Sequence, residues 1–221
     1  MIKILKTVIL ALFFAFLIKF ASLWKMSFII GSSVARFSLY SAVSPLPGAF
    51  IGGSGSFLVL LLSKWLLGWG PAGIFTGVPG FCASLYWASS HWAIRVLLPV
   101  VCMTLFWMNP IGYAAFPYAL YWLIPIVLYF TRKNYIFLEA FGSTFIAHAV
   151  GSVIWLYTIP MTAEQWINII PLVIVERVVF ASGMVAMYYL LSFIFNVFSH
   201  KKCYNPAVCY PIMKIKSFIS K

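Results

Sequence analysis

Long apolar segments, separated by short polar or glycine- and proline-rich stretches, dominate this chain of 221 residues. A helix of about 20 apolar residues is long enough to cross the hydrocarbon core of a bilayer. The pattern therefore predicts an all-α polytopic membrane protein, with residues 1–199 forming a bundle of about six to seven transmembrane helices. The predicted apolar segments cover residues 4–30, 57–69, 73–89, 95–108, 113–130, 136–157 and 167–198.

The prediction is least definite before residue 90. Residues 32–56 carry Pro45, Pro47 and several glycines. Prolines and glycines interrupt helical hydrogen bonding. Where this happens at membrane depth, the unpaired backbone must be buried in protein or line a cavity. Part of this stretch is therefore either a loop that lines a solute site or a loop on the surface. The short apolar segment at residues 73–89 is either a span or a broken, re-entrant piece.

Composition strengthens the membrane assignment and narrows the function. The chain is 64% hydrophobic and 8% charged, whereas about a quarter of the residues of a soluble domain are charged. It carries no phosphate-binding P-loop, no dinucleotide-binding glycine pattern and no zinc-protease motif. We therefore expect no enzyme, no catalytic residue, no metal and no cofactor. If solute is transported, the energy must come from an ion gradient or from a partner protein.

The distribution of positive charge predicts the orientation. The net charge is +12, and lysine and arginine concentrate on the cytoplasmic side of membrane proteins. Arg132, Lys133 and the basic tail, residues 200–221, should therefore be cytoplasmic. The connections at residues 109–112 and 158–166 then lie outside. This arrangement predicts a multi-pass protein of the plasma (cytoplasmic) membrane with its C-terminus inside.

Two adjacent ionisable residues, Glu176 and Arg177, interrupt the last apolar segment, although the chain has only three acidic residues. A charge facing lipid costs at least ~2.5–3.5 kcal/mol, so these side chains should face protein or a cavity. Adjacent helical positions point about 100° apart, so each is expected to have its own partner. The pair is either a structural salt bridge or a polar wall of an outward-facing pocket.

His148 lies near the middle of the segment at residues 136–157. Thr144, Ser152 and Trp155 share its helical face, at spacings of four and seven residues. Such a face suits a ligand pocket, and it equally suits hydrogen bonds between helices. The predicted substrate-binding residues are Glu176, Arg177, His148, Ser152, Trp155 and Thr144.

Other polar and aromatic residues have simpler interpretations. Glu139 begins the same segment near Arg132 and Lys133, which predicts a local ion pair. His91 and Arg95 are four residues apart and indicate an inner helix end. The aromatic residues Tyr113, Tyr118, Tyr121 and Trp122 are typical of an interfacial belt, with stacking on a planar ligand as the alternative.

Architecture and two short motifs together resemble the substrate-binding S components of energy-coupling-factor (ECF) transporters. The Ala11-xxx-Ala15 motif looks like the small-residue motif by which the first helix of these proteins meets a coupling subunit. The stretch Pro47-Gly48…Gly52-Gly53…Gly55 is similar to a region that precedes a helix in several members. The resemblance implies capture of a vitamin-like small solute for uptake, driven by a separate transmembrane coupling subunit and ATPases.

Two other functions fit the same residues. One is a self-sufficient proton-coupled permease in which His148 and Glu176 titrate. The other is a non-transport membrane scaffold whose basic tail docks a cytoplasmic partner. Nucleic acid is not an expected partner of either, because the positive charge follows the pattern of membrane topology.

Overall fold

A computed structural model describes residues 2–26, 37–66, 74–131 and 135–198. The described chain is built from helices: α1 (Ile2–Leu23), α2 (Tyr40–Val43), α3 (Pro47–Leu66), α4 (Ile74–Ala88), α5 (Leu98–Met108), α6 (Pro110–Ala114), α7 (Leu123–Thr131), α8 (Ile136–Thr158), α9 (Ala163–Asn168) and α10 (Ile170–Phe198). A π-helix (Ala93–Leu97) leads into α5, and a 3₁₀ helix (Phe116–Trp122) leads into α7. Two-residue strands, β1 (Lys25–Met26) and β2 (Phe37–Ser38), pair antiparallel. The predicted tail lies outside the described residues.

Within the described residues, four helices are long and apolar enough to cross a membrane. They are Ile4–Leu23, Pro47–Leu66, Ile136–Thr158 and Ile170–Phe195. Two apolar helical segments, Ala93–Met108 and Phe116–Thr131, are shorter. The predicted all-α fold is confirmed, and the four long helices support a multi-pass membrane protein.

Helix α8 is the central element of the bundle. It packs against α4, α5, α7 and α10. In the 18-residue apolar window of α8, 56% of the residues are buried, against 28–33% in the corresponding windows of the other three long helices. A helix with so many neighbours can carry small and polar residues on several faces, because little of it meets lipid. This position explains why His148, Ser143, Thr144 and Ser152 are all buried there.

The described part of the glycine- and proline-rich stretch is largely helical, since α2 and the start of α3 lie in it, and the expected loop is reduced there to short connections. Helix α3 begins at Pro47, where a missing backbone N–H costs nothing because the first turn has no acceptor for it. The helix is interrupted at Gly52, whose φ of 73° is readily adopted only by glycine. A Cβ at Gly48 would lie 1.8 Å from the carbonyl oxygen of Ser84. The glycines therefore allow α3 and α4 to approach closely.

Ala11 and Ala15 face the inside of the bundle. Both are fully buried, and α1 packs against α3. The outer face of α1 carries large exposed apolar side chains instead, such as Ile9 and Phe16. The small-residue motif thus packs within the chain, between α1 and its neighbours in the bundle.

Prolines also divide the segment predicted at residues 113–130. Asn109 caps the short helix α6 by accepting a hydrogen bond from the backbone N–H of Ile111 at 2.9 Å, and Pro110 occupies its first position. The 3₁₀ helix that follows carries Pro117 in its first turn. The chain therefore turns back at this end of the bundle before α7 begins at Leu123.

Candidate functional site: a buried polar cluster around His148

Both ring nitrogens of His148 are engaged in hydrogen bonds inside the bundle. The indole N–H of Trp122 donates to Nδ1 at 3.1 Å, and the Tyr118 hydroxyl lies 2.8 Å from Nε2. An indole nitrogen only donates, so Nδ1 is the unprotonated acceptor. The proton is therefore on Nε2, which donates to the oxygen of Tyr118. His148 is held as the neutral Nε2–H tautomer.

The hydrogen bonds continue from His148 to a serine. Because the Tyr118 oxygen accepts from His148, its own proton is available for Ser152 Oγ at 3.2 Å. The bonds run in one direction, from Trp122 through His148 and Tyr118 to Ser152. A buried network of this kind fixes side-chain positions, since each member that lost its partner would remain desolvated.

Aromatic rings surround this network. Phe106 stacks on Tyr118 with ring centroids 5.6 Å apart, and Trp166 meets the Tyr118 ring edge-on at 4.8 Å. Trp166 belongs to the short helix α9, whose start is fixed by reciprocal hydrogen bonds between Thr162 and Gln165. The Trp166 side chain is buried, and its indole N–H has no hydrogen-bond partner. Helix α9 thus covers the cluster at one end of the bundle.

Glu176 and Arg177 pair with each other in α10. Nη2 of Arg177 donates to Oε2 of Glu176 at 2.8 Å, and the two side chains are only 12% and 15% exposed, respectively. The prediction that each needs its own partner is wrong, because the long, flexible side chains bend together although their Cα–Cβ bonds diverge. Nη1 of Arg177 also donates to the carbonyl oxygen of Thr144 at 3.4 Å, and the guanidinium lies 4.9 Å from the ring centroid of Phe180. Nε of Arg177 is buried without a partner.

The structure brings five of the six predicted site residues into this region. His148 and Ser152 belong to the network, and the Arg177–Glu176 pair is joined to α8 one turn before His148. Thr144 contributes its carbonyl oxygen to Arg177, while its hydroxyl donates to the carbonyl oxygen of Phe141 at 2.7 Å.

Trp155 does not join them. Its side chain is 54% exposed, whereas the adjacent Leu156 is buried, so Trp155 lies on a side of α8 that the described helices leave uncovered.

Tyr118 and Trp122 are the site residues that sequence reasoning assigned differently. Both are buried, whereas Tyr113 from the same predicted aromatic belt is 72% exposed. The four-residue spacing of Tyr118 and Trp122 is the one signal that could have placed them on a common face. An aromatic belt at a helix end shows similar residues, so the pattern alone did not separate the two arrangements.

A second, partly buried ion pair joins helices at the opposite end of α8. Nη1 of Arg95 donates to Oε2 of Glu139 at 3.0 Å, and Nη2 donates to Oε1. The same guanidinium donates to the carbonyl oxygens of Ser89 and Tyr86 and lies 4.1 Å from the Tyr86 ring centroid. The described partner of Glu139 is thus Arg95, 44 residues earlier in the chain, and this pair ties α4, the π-helix and α8 together.

Among the described residues, no group of three or more histidine, cysteine, aspartate or glutamate residues is placed to hold a metal ion. No protein-family model, curated protein or solved structure matches this chain. The geometry of the described residues therefore carries the functional proposal.

Proposed function

We propose that this chain is an integral membrane transport protein that binds a small solute beside His148, Ser152, Glu176 and Arg177. The observation that carries the proposal is a partly buried ion pair next to a buried histidine network, between helices apolar enough to cross a membrane. Ionisable residues inside membrane segments are costly, and where they occur they commonly mark solute or ion pathways.

The unpartnered donors indicate which chemistry the solute must offer. The N–H of Trp166 and Nε of Arg177 are buried without acceptors, and such a donor costs about 1–3 kcal/mol. A solute with carbonyl oxygens or ring nitrogens would satisfy them. The rings of Phe106, Tyr118 and Trp166, which here pack on one another, would stack on a flat molecule once α9 moved aside. The proposed substrate is therefore small, planar and rich in hydrogen-bond acceptors, as vitamin-like compounds are.

In this proposal the chain crosses the plasma membrane six to seven times, with a cytoplasmic C-terminus. The shorter apolar segments Ala93–Met108 and Phe116–Thr131 complete the bundle, together with α4. The cluster then lies toward the outer face, because Trp166 covers it from the connection at residues 159–169. Solute would enter when α9 moves aside.

We further propose that the chain is the substrate-binding component of a larger system, with separate ATPase subunits. The lack of a nucleotide-binding motif in the sequence supports this division of labour. The hydrogen bonds of His148 disfavour a proton-coupled permease, since protonating Nδ1 would set its N–H against that of Trp122. A coupling subunit would have to contact a surface other than Ala11 and Ala15.

The test is binding to the purified full-length chain in detergent. A panel of water-soluble vitamins and nucleobases is screened by thermal unfolding and by tryptophan fluorescence, because Trp122 and Trp166 lie at the site. We expect one chemical class to raise the unfolding temperature and to change the fluorescence.

Two conservative variants connect any binding to the site. Arg177→Lys removes the planar guanidinium, and Trp166→Phe removes the unpartnered N–H; each should weaken binding about tenfold, or 1.4 kcal/mol. Trp155→Phe, on the exposed side of α8, is the matched control and should bind like the unmodified chain. Equal affinity in all three variants, or no binding by any compound, contradicts the proposal.

A further inference from the structure

The hydrogen-bond network around His148 holds one proton more than its own bonds use. Four of its groups carry a proton to donate: the indole of Trp122, Nε2 of His148, and the hydroxyls of Tyr118 and Ser152. Three hydrogen bonds join these groups, at 3.1, 2.8 and 3.2 Å. One proton is therefore left without an acceptor inside the network, whichever way the bond between Tyr118 and Ser152 runs.

The direction of the bonds places this extra proton on Ser152. Tyr118 accepts from His148 and donates to Ser152 Oγ, so the Ser152 hydroxyl ends the chain. A serine in a helix often donates to the carbonyl oxygen four residues earlier, as Ser182 does to Val178 at 2.9 Å. Among the described residues, however, Tyr118 is the one hydrogen-bond partner of Ser152, which is only 6% exposed. The proton of Ser152 thus has no acceptor in the described part of the chain.

A second unpaired donor lies beside the same tyrosine. The Trp166 ring packs edge-on against the Tyr118 ring, with centroids 4.8 Å apart, and its indole N–H is buried without a partner. A single atom of a solute can accept from two donors if it carries two lone pairs and no proton. A carbonyl oxygen on a ring, an oxo group, has this property, whereas an amino group brings protons of its own.

We propose that the site selects planar heterocycles that carry an oxo group, and that Ser152 and Trp166 donate to its oxygen. This inference rests on the proposed function and narrows its substrate class. An amino group in the same place could donate to a lone pair of Ser152, but the extra proton would stay unpaired in the closed site. Trp122 is a positioning residue, because its N–H fixes the direction of the chain from the far side of His148.

The test compares pairs of heterocycles in which one oxo group is exchanged for an amino group. The pairs are hypoxanthine and adenine, quinazolinone and aminoquinazoline, and pterin and diaminopteridine. Their affinities for the purified full-length chain in detergent are measured by titration calorimetry at neutral pH. We expect the oxo member of at least one pair to bind about tenfold more tightly than its amino partner, since an unpaired buried donor costs about this factor.

The outcomes separate this inference from the proposed function. Equal or tighter binding of the amino members overturns the inference and leaves solute binding at the site intact. The inference is likewise overturned if none of the oxo compounds binds while another compound of the vitamin and nucleobase panel does. Binding of no compound at all contradicts the inference and the proposed function together.

Two serine variants separate a donor role from a structural one. Ser152→Ala leaves the extra proton on Tyr118, one hydrogen-bond length further back, and should reduce the oxo preference from about tenfold to about twofold. Ser143→Ala is the matched control on the same helix, since the buried Ser143 hydroxyl already donates to the carbonyl oxygen of Ala83 at 3.0 Å. It should lower stability and keep the oxo preference. An oxo preference that is unchanged in Ser152→Ala overturns the donor role.

Trp122→Phe tests the positioning role. Without the indole N–H, His148 can carry its proton on Nδ1 and accept at Nε2 from Tyr118, which reverses the chain. Ser152 then donates to Tyr118, and its oxygen is left to accept from an amino group. We expect the affinity ratio of oxo to amino members to fall, whereas a purely structural effect would weaken both members equally.

The tautomer of His148 can be measured without any solute. In ¹⁵N NMR spectra of the histidine-labelled protein, the unmodified chain should show His148 with its proton on Nε2. A proton on Nδ1 of the unmodified chain would run the network in the opposite direction and overturn the inference.

Discussion

At His148, neighbouring side chains determine the direction of every hydrogen bond around the ring. Trp122 can only donate, so the His148 ring must accept at Nδ1 and donate at Nε2. The Tyr118 hydroxyl accepts from His148 and therefore donates to Ser152. A histidine held in this way has neither ring nitrogen free, which disfavours the carriage of protons. Its partners, more than the histidine itself, define what the site can do.

Removing the Tyr118 hydroxyl tests this network. Tyr118→Phe leaves Nε2–H of His148 and the hydroxyl of Ser152 buried without their shared partner. We expect the free energy of unfolding to fall by about 1–3 kcal/mol, measured by denaturant unfolding in mild detergent. Tyr113→Phe deletes the same group from a side chain that is 72% exposed and should change it by less than about 0.5 kcal/mol. Equal effects of the two substitutions would contradict the network.

Charge neutralisation at Glu139 tests the second ion pair. Glu139→Gln leaves the guanidinium of Arg95, whose side chain is 13% exposed, without its counter-ion. We expect a loss of about 2–3 kcal/mol in unfolding free energy, somewhat below the range for fully buried pairs. Glu164→Gln removes an exposed carboxylate of α9 and is the control. In the double variant with Arg95→Gln, part of the loss should be recovered; full additivity would show that the pair does not interact.

At the scale of helices, uninterrupted apolar segments were predicted well and interrupted ones were not. The predicted ranges 136–157 and 167–198 correspond closely to α8 and α10, because such long apolar runs have one stable arrangement in lipid. Prolines and glycines show that a helix is interrupted, but they do not show whether the chain leaves the bundle. Whether an interrupted segment stays in the bundle depends on the helix packed beside it. At Gly48, for example, the backbone of α4 lies directly against α3.

The approach of α3 and α4 can be tested at Gly48. In Gly48→Ala the added methyl group would overlap the carbonyl of Ser84, which is backbone and cannot rotate away. The two helices must separate, and we expect a loss of about 2–4 kcal/mol in unfolding free energy, as in overpacked cores. Gly53→Ala is the matched control, since its methyl group would meet only the movable end of Leu85, at 3.2 Å. Thermal unfolding of both variants measures the difference. Equal unfolding temperatures for Gly48→Ala and Gly53→Ala would contradict the close contact between α3 and α4.

At the scale of the whole molecule, the sequence predicted part of the site because helical periodicity joins residues on one helix. Thr144, His148 and Ser152 share a face of α8 for that reason. The partners from other elements could not be derived in this way, since Tyr118 lies 30 residues before His148 and Arg177 lies 29 residues after it. Which helix lies next to α8 depends on packing between helices. The spacing of residues within one segment does not predict that packing.

Cysteine accessibility tests the predicted orientation of the bundle. In a background without cysteines, Glu164→Cys on α9 and Ser90→Cys after α4 each place one thiol at an exposed position. These positions lie near opposite ends of α8, since Glu164 is close to Trp166 above the His148 cluster and Ser90 is close to the Arg95–Glu139 pair. The positive-inside rule places the first outside and the second inside.

A membrane-impermeant maleimide should therefore label Glu164→Cys in intact cells, and should label Ser90→Cys only after the membrane is permeabilised. Because α9 covers the His148 cluster, this result would put the cluster within reach of a solute arriving from outside. The reverse labelling pattern would place the cluster toward the cytoplasm, where it could not capture an external solute, and would contradict the proposed function.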